Sequence, residues 1–246
     1  MKDFRGRKYR IAKNGSRGNK SLKRACNFLL DIVKYNGENS YKKDFAEGKM
    51  RYILASKSPR RKELLSKLVD RFEIITAETD ERLPEDMHPR IGVEALAVRK
   101  GATVAEAEDK EAFVISSDTL VELSGEALGK PRDEADAYRI LSTLSGKCHN
   151  VHTGVAIHYM GRVFSGVHTS RVYFKELSDK EIYDYIKTGE PMDKAGAYGI
   201  QGLGGRFVLK FEGEFDSIMG LSIELLSSLM AEAVASARAM AEGANE

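Results

Sequence analysis

A short basic segment of the chain has the residue types that bind phosphate. Residues 55–61 read Ala-Ser-Lys-Ser-Pro-Arg-Arg, at a point where a predicted strand turns into a predicted helix. Free backbone N–H groups and the positive end of the helix dipole gather at such a turn, and Arg60 and Arg61 add two charges. The segment is therefore suited to a polyphosphate, although a solvated basic turn would have the same pattern.

Three other positions carry polar side chains that could act on a ligand. Asp118 directly follows a predicted buried strand, where α/β sheets bind ligands, so it could hold a metal ion, orient a water or only cap a turn. Lys130 lies between a glycine and a proline in a segment too short for a P-loop, and could equally be a solvated lysine. Gln201 lies in a glycine-rich stretch that could be an ordinary turn, but its amide has the donor and acceptor needed to read a pyrimidine edge.

Composition excludes several classes of protein. The chain has 246 residues, 42% hydrophobic and 31% charged, which allows a sizeable core and does not fit a collagen or a disulfide scaffold. No run of about 18 apolar residues predicts a membrane span. The two cysteines, Cys26 and Cys148, form no C-x-x-C pair, and the five histidines form no H-E-x-x-H motif. These features predict a cytoplasmic protein.

The basic charge is concentrated at the N-terminal end. Residues 1–49 hold 14 Lys and Arg against 5 Asp and Glu, whereas the rest of the chain holds 25 against 32. We expect residues 1–20 to be disordered and residues 21–35 to form one short helix. This basic extension is either a tail that contacts nucleic acid or an over-extended start, with the native protein beginning at Met50. The second interpretation is simpler, because a strand would then follow the initiator directly.

From residue 50 onward, predicted strands and helices alternate without an internal repeat. Strands are predicted at 51–55, 72–76, 112–116 with a continuation at 121–122, 150–159, 162–174 and 207–211. Helices are predicted from residue 59, at 93–107, at 133–144, from 178 to about 187, and at 221–241. This mixture predicts one α/β domain over residues 50–246.

Three stretches of this domain resemble one protein family. They read LASKSPRRKELL at 54–65, SSDTLVELSGEALGKPRDEADAYRILSTLSGKCHNVHTGVAI at 116–157 and EPMDKAGAYGIQGLGGRFV at 190–208. In this order they resemble the Maf family of nucleoside triphosphate pyrophosphatases over roughly residues 50–226, and the last stretch is most similar to the subgroup acting on dTTP and UTP. The resemblance implies an α/β, Maf/ITPase-like fold: a bilobed single domain whose mixed central sheet is flanked by helices.

The resemblance also assigns roles to individual residues. It makes Asp118 the catalytic residue and, with Glu81, a ligand of a divalent cation, Mg²⁺ or Mn²⁺. Substrate binding and specificity fall to a second set, which comprises Ser56, Arg60, Arg61, Lys100, Thr119, Lys130 and Gln201. Two positions depart from the family pattern: Gly101 stands where alanine is usual, and Ser222 stands where proline is usual. Ser222 can still cap the final helix.

The implied activity is hydrolysis of dTTP and UTP to the nucleoside monophosphate and pyrophosphate. Modified pyrimidine nucleotides are further candidate substrates. The nucleotide is the expected partner, a homodimer is compatible with the resemblance, and neither a membrane nor a nucleic acid is expected. Two alternatives stay open: a nucleotide-sensing regulator of cell division, and a nucleic-acid-binding protein that uses residues 1–49. The first is disfavoured because the chain retains Arg61, Glu81, Asp118 and Lys130. The second is disfavoured because the extension holds no recognised RNA or DNA module.

Overall fold

The structure is a computed structural model that describes residues 50–84 and 86–243. The predictions for the basic extension, a disordered segment at 1–20 and a helix at 21–35, lie outside the described residues. Within the described part, the chain forms one mixed sheet with helices packed against it. This arrangement confirms the predicted α/β fold class.

The sheet joins a parallel part to an antiparallel part. Its strands follow the order β2-β1-β3-β5-β6-β7, and β4 pairs with the far end of β3. The strand β1 runs parallel to both of its neighbours, whereas the pairs from β3 to β7 are antiparallel. The strands span Tyr52–Leu54 (β1), Glu73–Ile74 (β2), Phe113–Leu123 (β3), Glu126–Leu128 (β4), Cys148–Tyr159 (β5), Arg162–Phe174 (β6) and Val208–Glu212 (β7).

Local capping residues set where the helices begin. The Ser58 hydroxyl accepts from the backbone N–H of Arg61 with Pro59 in the first turn, and Ser178 forms a capping box with Glu181. Ser222 accepts from the backbone N–H of Leu225, so it caps the last helix as expected. The helices span Pro59–Leu65 (α1), Pro89–Ala105 (α2), Glu134–Leu144 (α3), Asp179–Ile186 (α4), Phe215–Met219 (α5) and Ile223–Gly243 (α6).

Three elements differ from the sequence-based predictions. The strand β3 is continuous where a break after residue 116 was predicted, because β5 pairs with it from Val114 to Glu122. The helix α2 begins at Pro89, four residues earlier than predicted, since His88 caps it by accepting from the backbone N–H of Arg90. The short helix α5 was not predicted, because five residues are too few to show a helical period.

The described residues form three hydrophobic clusters, of which the smallest packs Val104 of α2 against Ile53 of β1 and Val114 of β3. The two larger clusters lie at opposite ends of the long strands. One packs α3 and α4 against the end of β3 that contains Val121, and the other packs α1 and α6 against the end that contains Phe113 and Ile115. Complete burial of one such aliphatic or aromatic side chain contributes roughly 1.5–3 kcal/mol. The two cores give the domain its two lobes, as predicted.

A gap along one edge of β3 separates the lobes. On that edge β1 pairs with Phe113–Ile115 and β4 pairs with Val121–Leu123. In the pairings of the described residues, 116–120 therefore face a strand only on the β5 side. The backbone and side chains of 116–120 border the space between the lobes.

Candidate active site

A cleft of about 530 Å³ occupies the space between the lobes. It is open at the gap in β3 and is bounded by the turn before α1, by α2 and by the loop that precedes β7. Every site residue predicted from the sequence lines it: Ser56, Arg60, Arg61, Glu81, Lys100, Asp118, Thr119, Lys130 and Gln201.

The turn between β1 and α1 places Arg61 deep in the cleft. Its Nη1 donates to Ser56 Oγ at 3.3 Å, and its Nε donates to the carbonyl of Gly220 at 2.9 Å. Ser56 Oγ also accepts from the backbone N–H of Ser58. Burial lowers the pKa of Arg61, while the nearby Asp118 opposes that shift. These two hydrogen bonds hold the guanidinium in one orientation, so its positive charge has a fixed position in the cleft.

Three charged side chains from different elements meet beside Arg61. Lys100 Nζ on α2 donates to Asp118 Oδ1 at 2.6 Å and lies 2.8 Å from Glu81 Oε1. Arg61 Nη2 lies 3.9 Å from the same Asp118 oxygen. The hydrogen bond from Lys100 lowers the pKa of Glu81, so this carboxylate is ionised at neutral pH. Asp118 lies within β3, and not after the end of a strand as predicted from the sequence.

Close packing of α2 on the sheet brings Lys100 to Asp118. A Cβ on Gly101 would lie 2.5 Å from the His158 ring and 2.6 Å from Ser116 Oγ, and one on Gly154 would lie 2.5 Å from the carbonyl of Val93. Both positions thus need glycine for the helix to approach β3 and β5. The departure of Gly101 from the family pattern has this structural reason, because His158 fills the space that an alanine methyl group would need.

The carboxylates of Glu81 and Asp118 fit a hard divalent cation. Both reach a single ammonium group, that of Lys100, so both can approach one cationic centre. Mg²⁺ is commonly held by one or two carboxylates together with water and substrate phosphates. Among the described residues, no group of three or more His, Cys, Asp or Glu side chains forms a self-sufficient cage. The donor set therefore suits a cation that arrives with a phosphate ligand.

The charges that line the cleft favour a polyanion. Three acidic residues face six basic ones, so the walls carry a formal excess of three positive charges. Such an excess in a concave site raises the local concentration of anions. The basic residues are Lys57, Arg60, Arg61, Lys100, Lys130 and Lys194, and the acidic ones are Glu81, Asp118 and Asp193.

A loop that the carboxylate of Glu190 holds together forms the opposite wall. Glu190 accepts from the backbone N–H groups of Leu203 and Gly204 at 3.0 and 3.1 Å, and from the Tyr185 hydroxyl at 3.0 Å. Gly202 has φ +142°, and a Cβ there would lie 2.8 Å from Glu190 Oε1. These contacts determine the path of the loop, and therefore the position of Gln201 at the cleft.

Sequence reasoning assigned no role to Glu190, although it belongs to a stretch that carries the family resemblance. A carboxylate directly before a glycine-rich loop was an available signal, because such a loop has many backbone N–H groups to satisfy. Tyr198, in the same loop, donates to or accepts from His149 Nε2 at 2.8 Å. Burial lowers the pKa of His149 to about 4, so the ring is neutral at physiological pH and its contact with Tyr198 is structural.

The part of the chain that the structure describes has no helix long and apolar enough to cross a membrane.

Several curated relatives are similar to this chain over most of their own length. The dTTP/UTP pyrophosphatase of Bdellovibrio bacteriovorus is 42% identical over 186 residues, which are 73% of this chain and 97% of the relative. The enzymes of the same name from Aquifex aeolicus and Carboxydothermus hydrogenoformans are 45% and 47% identical, and the matches cover 74% and 72% of this chain and 95% of each relative.

Among solved structures, a nucleoside-triphosphatase / dITP/XTP pyrophosphatase from Mycobacterium abscessus aligns with 77% of this chain and 97% of its own, at 15% identity and a TM-score of 0.38. The family described as Maf-like protein matches residues 51–233, a range that contains every residue of the cleft. With that match and relatives above 40% identity, the chain belongs to the Maf family.

Proposed function

We propose that this chain is a nucleoside triphosphate pyrophosphatase that converts dTTP and UTP to the monophosphate and pyrophosphate. The observation that carries the proposal is the contact of Asp118, Lys100 and Glu81 beside the half-buried Arg61, in a cleft with excess positive charge. The names of the relatives supply the substrate class. A triphosphate carries about four negative charges at neutral pH, which such a cleft can neutralise.

Asp118 is proposed as the base that activates water. Its contacts with Lys100 and Arg61 both use Oδ1, which leaves Oδ2 to accept the proton of an attacking water. The water oxygen forms a bond to the α-phosphorus as the bond from that phosphorus to the bridging oxygen breaks. Pyrophosphate leaves with the bonding electron pair, and the nucleoside monophosphate remains. General bases of this kind contribute about 10²–10⁴-fold to the rate.

Basic residues around Asp118 are proposed to hold the phosphates. Arg60, Lys100 and Lys130 would stabilise the charge on the leaving pyrophosphate, and Ser56 and Arg61 would orient the α-phosphate. A divalent cation, Mg²⁺ or Mn²⁺, held by Glu81 and Asp118 would supply further charge neutralisation at the phosphates. Thr119 and Gln201 would contact the base. Every residue in this scheme comes from one chain, so the chemistry does not require a second subunit. We also propose that the protein acts in the cytoplasm.

The test is pyrophosphate release from a panel of nucleotides. Purified protein with Mg²⁺ should release pyrophosphate from dTTP and UTP faster than from ATP, and removal of the cation with EDTA should abolish the release. The product should be a monophosphate. Release of inorganic phosphate instead would show cleavage of the β–γ bond, and an absence of hydrolysis with dTTP and UTP would contradict the proposal.

A further inference from the structure

A series of hydrogen bonds extends from Thr119 into the protein interior, away from the cleft. Thr119 on β3 and Thr153 on β5 are directly opposite each other in the sheet, and their hydroxyl oxygens lie 3.2 Å apart. Thr153 Oγ1 also lies 2.8 Å from the carbonyl oxygen of Ser217 in α5. Thr153 is completely buried, whereas Thr119 lines the cleft. These hydrogen bonds therefore connect Thr119, which lines the cleft, through Thr153 to the buried carbonyl of Ser217.

The direction of each hydrogen bond in this series follows from the count of protons. A threonine hydroxyl has one proton, and a carbonyl oxygen can only accept. Since the Ser217 carbonyl takes the proton of Thr153, the contact between the two hydroxyls can form only if Thr119 is the donor. The proton of Thr119 then points at Thr153, and Thr119 offers only lone pairs to a molecule in the cleft.

We infer that Thr153 is a positioning residue for base specificity, which makes Thr119 an obligatory acceptor and so selects a nucleobase that offers an N–H group. The inference rests on the proposed function. Uracil and thymine have an N3–H donor, whereas cytosine has a lone pair at N3. A lone pair from Thr119 facing the N3 lone pair of cytosine leaves both groups unsatisfied, which is unfavourable in a partly buried site. Gln201 carries both a donor and an acceptor, so it cannot impose this choice alone.

The experiment compares Thr153→Val with Thr153→Ser in the full-length chain. Serine keeps the hydroxyl and its donor, so it should retain the wild-type ratio of kcat/KM for UTP over CTP. Valine removes the acceptor for the Thr119 proton, which lets the Thr119 hydroxyl rotate and donate to cytosine N3. We expect the UTP/CTP ratio to fall about tenfold in Thr153→Val, mainly through a gain on CTP relative to UTP.

A merely structural role of Thr153 would lower both rates together and leave that ratio unchanged, and this outcome would overturn the inference. Thermal melting of both variants shows whether each is folded. If Thr153→Val does not fold, 3-methyl-UTP tests the wild-type protein, because the methyl group replaces the N3–H donor. We expect it to react as poorly as CTP, and hydrolysis at the UTP rate would overturn the inference.

Failure of the inference and failure of the proposed function give different results. A wild-type protein that hydrolyses UTP and CTP equally well retains the proposed function but has no selection at N3. A wild-type protein that releases pyrophosphate from neither UTP nor dTTP contradicts the proposed function itself, and the inference with it.

Discussion

The two walls of the cleft are held in place by different means. The basic wall, which comprises Ser56, Arg60, Arg61, Lys100 and Asp118, comes from regular elements: the turn into α1, the helix α2 and the strand β3. The loop wall, residues 190–205, consists of short 3-10 turns and irregular backbone held by side-chain contacts, chiefly the Glu190 carboxylate and the hydrogen bond between Tyr198 and His149. Arg60 and Asp193, 3.8 Å apart, face each other across the cleft.

This difference matches what each wall has to do. Charge stabilisation at a reacting phosphate requires donors at fixed positions, and paired strands and packed helices supply rigid positions. Discrimination among bases can be altered by changes in a loop on a constant scaffold. The basic wall should therefore control the rate, and the loop wall should contribute to the choice of substrate together with Thr119 on β3.

The largest effect is expected from Asp118→Asn in the basic wall. The change removes charge and basicity with almost no change in volume, so kcat for UTP should fall by about two to four orders of magnitude. Thermal melting should still show a folded protein. Asp184→Asn, at an exposed carboxylate on α4 paired with Lys180, is the matched control and should keep the wild-type rate. Near-normal pyrophosphate release by Asp118→Asn would remove Asp118 from the mechanism.

Gln201→Ala in the loop wall should change selectivity more than rate. Loss of the amide removes hydrogen bonds that favour the correct base, so the ratio of UTP to ATP hydrolysis should fall about tenfold while the best rate falls less. Initial rates with both nucleotides give this ratio. An unchanged ratio would show that Gln201 does not read the base.

Glu190→Gln should reduce the same ratio through the position of the loop. The glutamine amide has one acceptor oxygen in place of two, so at least one of the backbone N–H groups of Leu203 and Gly204 loses its partner, at about 1–3 kcal/mol of unfolding free energy. The control Tyr185→Phe removes only the hydroxyl contact and should have a smaller effect.

A double variant distinguishes direct from indirect action at Glu190. If Glu190 acts by positioning Gln201, then Glu190→Gln combined with Gln201→Ala should have the UTP/ATP ratio of Gln201→Ala alone. Additive effects would mean that Glu190 influences the base by another route.

A smaller effect is expected at Glu214, which precedes α5, the helix behind both walls. Burial, with a smaller effect of neighbouring Glu224 and Asp216, raises the pKa of Glu214 from 4.5 to about 7, although the hydrogen bond from Ser222 opposes the shift. His168, whose pKa burial lowers, faces the same carboxyl group at 3.3 Å. The folded protein therefore keeps a proton at Glu214 that the unfolded chain releases above pH 4.5.

The contribution of Glu214 to the free energy of unfolding should accordingly fall as the pH rises from about 4.5 to 7, and then level off. His149, whose pKa is lowered, contributes in the opposite direction over much of this range, so the Glu214 contribution is obtained as the difference between the wild type and Glu214→Gln. Because the carboxyl group is partly exposed, we expect a loss of about 2 kcal/mol rather than that of the full shift. Glu214→Gln should remove this decline, and Glu232→Gln, at an exposed residue of α6, should retain it. Denaturant melts of the wild type and the variants at several pH values measure this difference, and a Glu214→Gln variant with the same pH dependence as the wild type would contradict the prediction.

No effect is expected from removal of residues 1–49. They lie outside the range of 51–233 that the family matches. A chain that starts at Met50 should therefore melt at the same temperature and hydrolyse UTP at the full-length rate. A large loss of either would make the basic extension part of the enzyme.

Much of the fold could be predicted from the sequence, because the signals are local. The period of buried residues in α3 reflects which side of the helix faces the core, and the continuous buried run of residues 151–157 in β5 reflects a strand that is covered on both faces. Caps such as Ser58 and Ser178 act within three residues of themselves. The candidate site residues came from residue type and family resemblance, and all of them line one cavity, whereas other residues that line it, such as Lys57 and Lys194, were not predicted.

Contacts between residues far apart in the chain depended on the tertiary structure. Arg61 is directed by the carbonyl of Gly220, 159 residues away, and Thr119 is directed by Thr153 and through it by Ser217. Asp118 meets Lys100 only because Gly101 and Gly154 let α2 approach the sheet closely. The sequence thus determines which residue types can do chemistry. Which oxygen accepts a hydrogen bond, and which proton is already donated to a neighbour, depends on partners that only folding brings within hydrogen-bond distance.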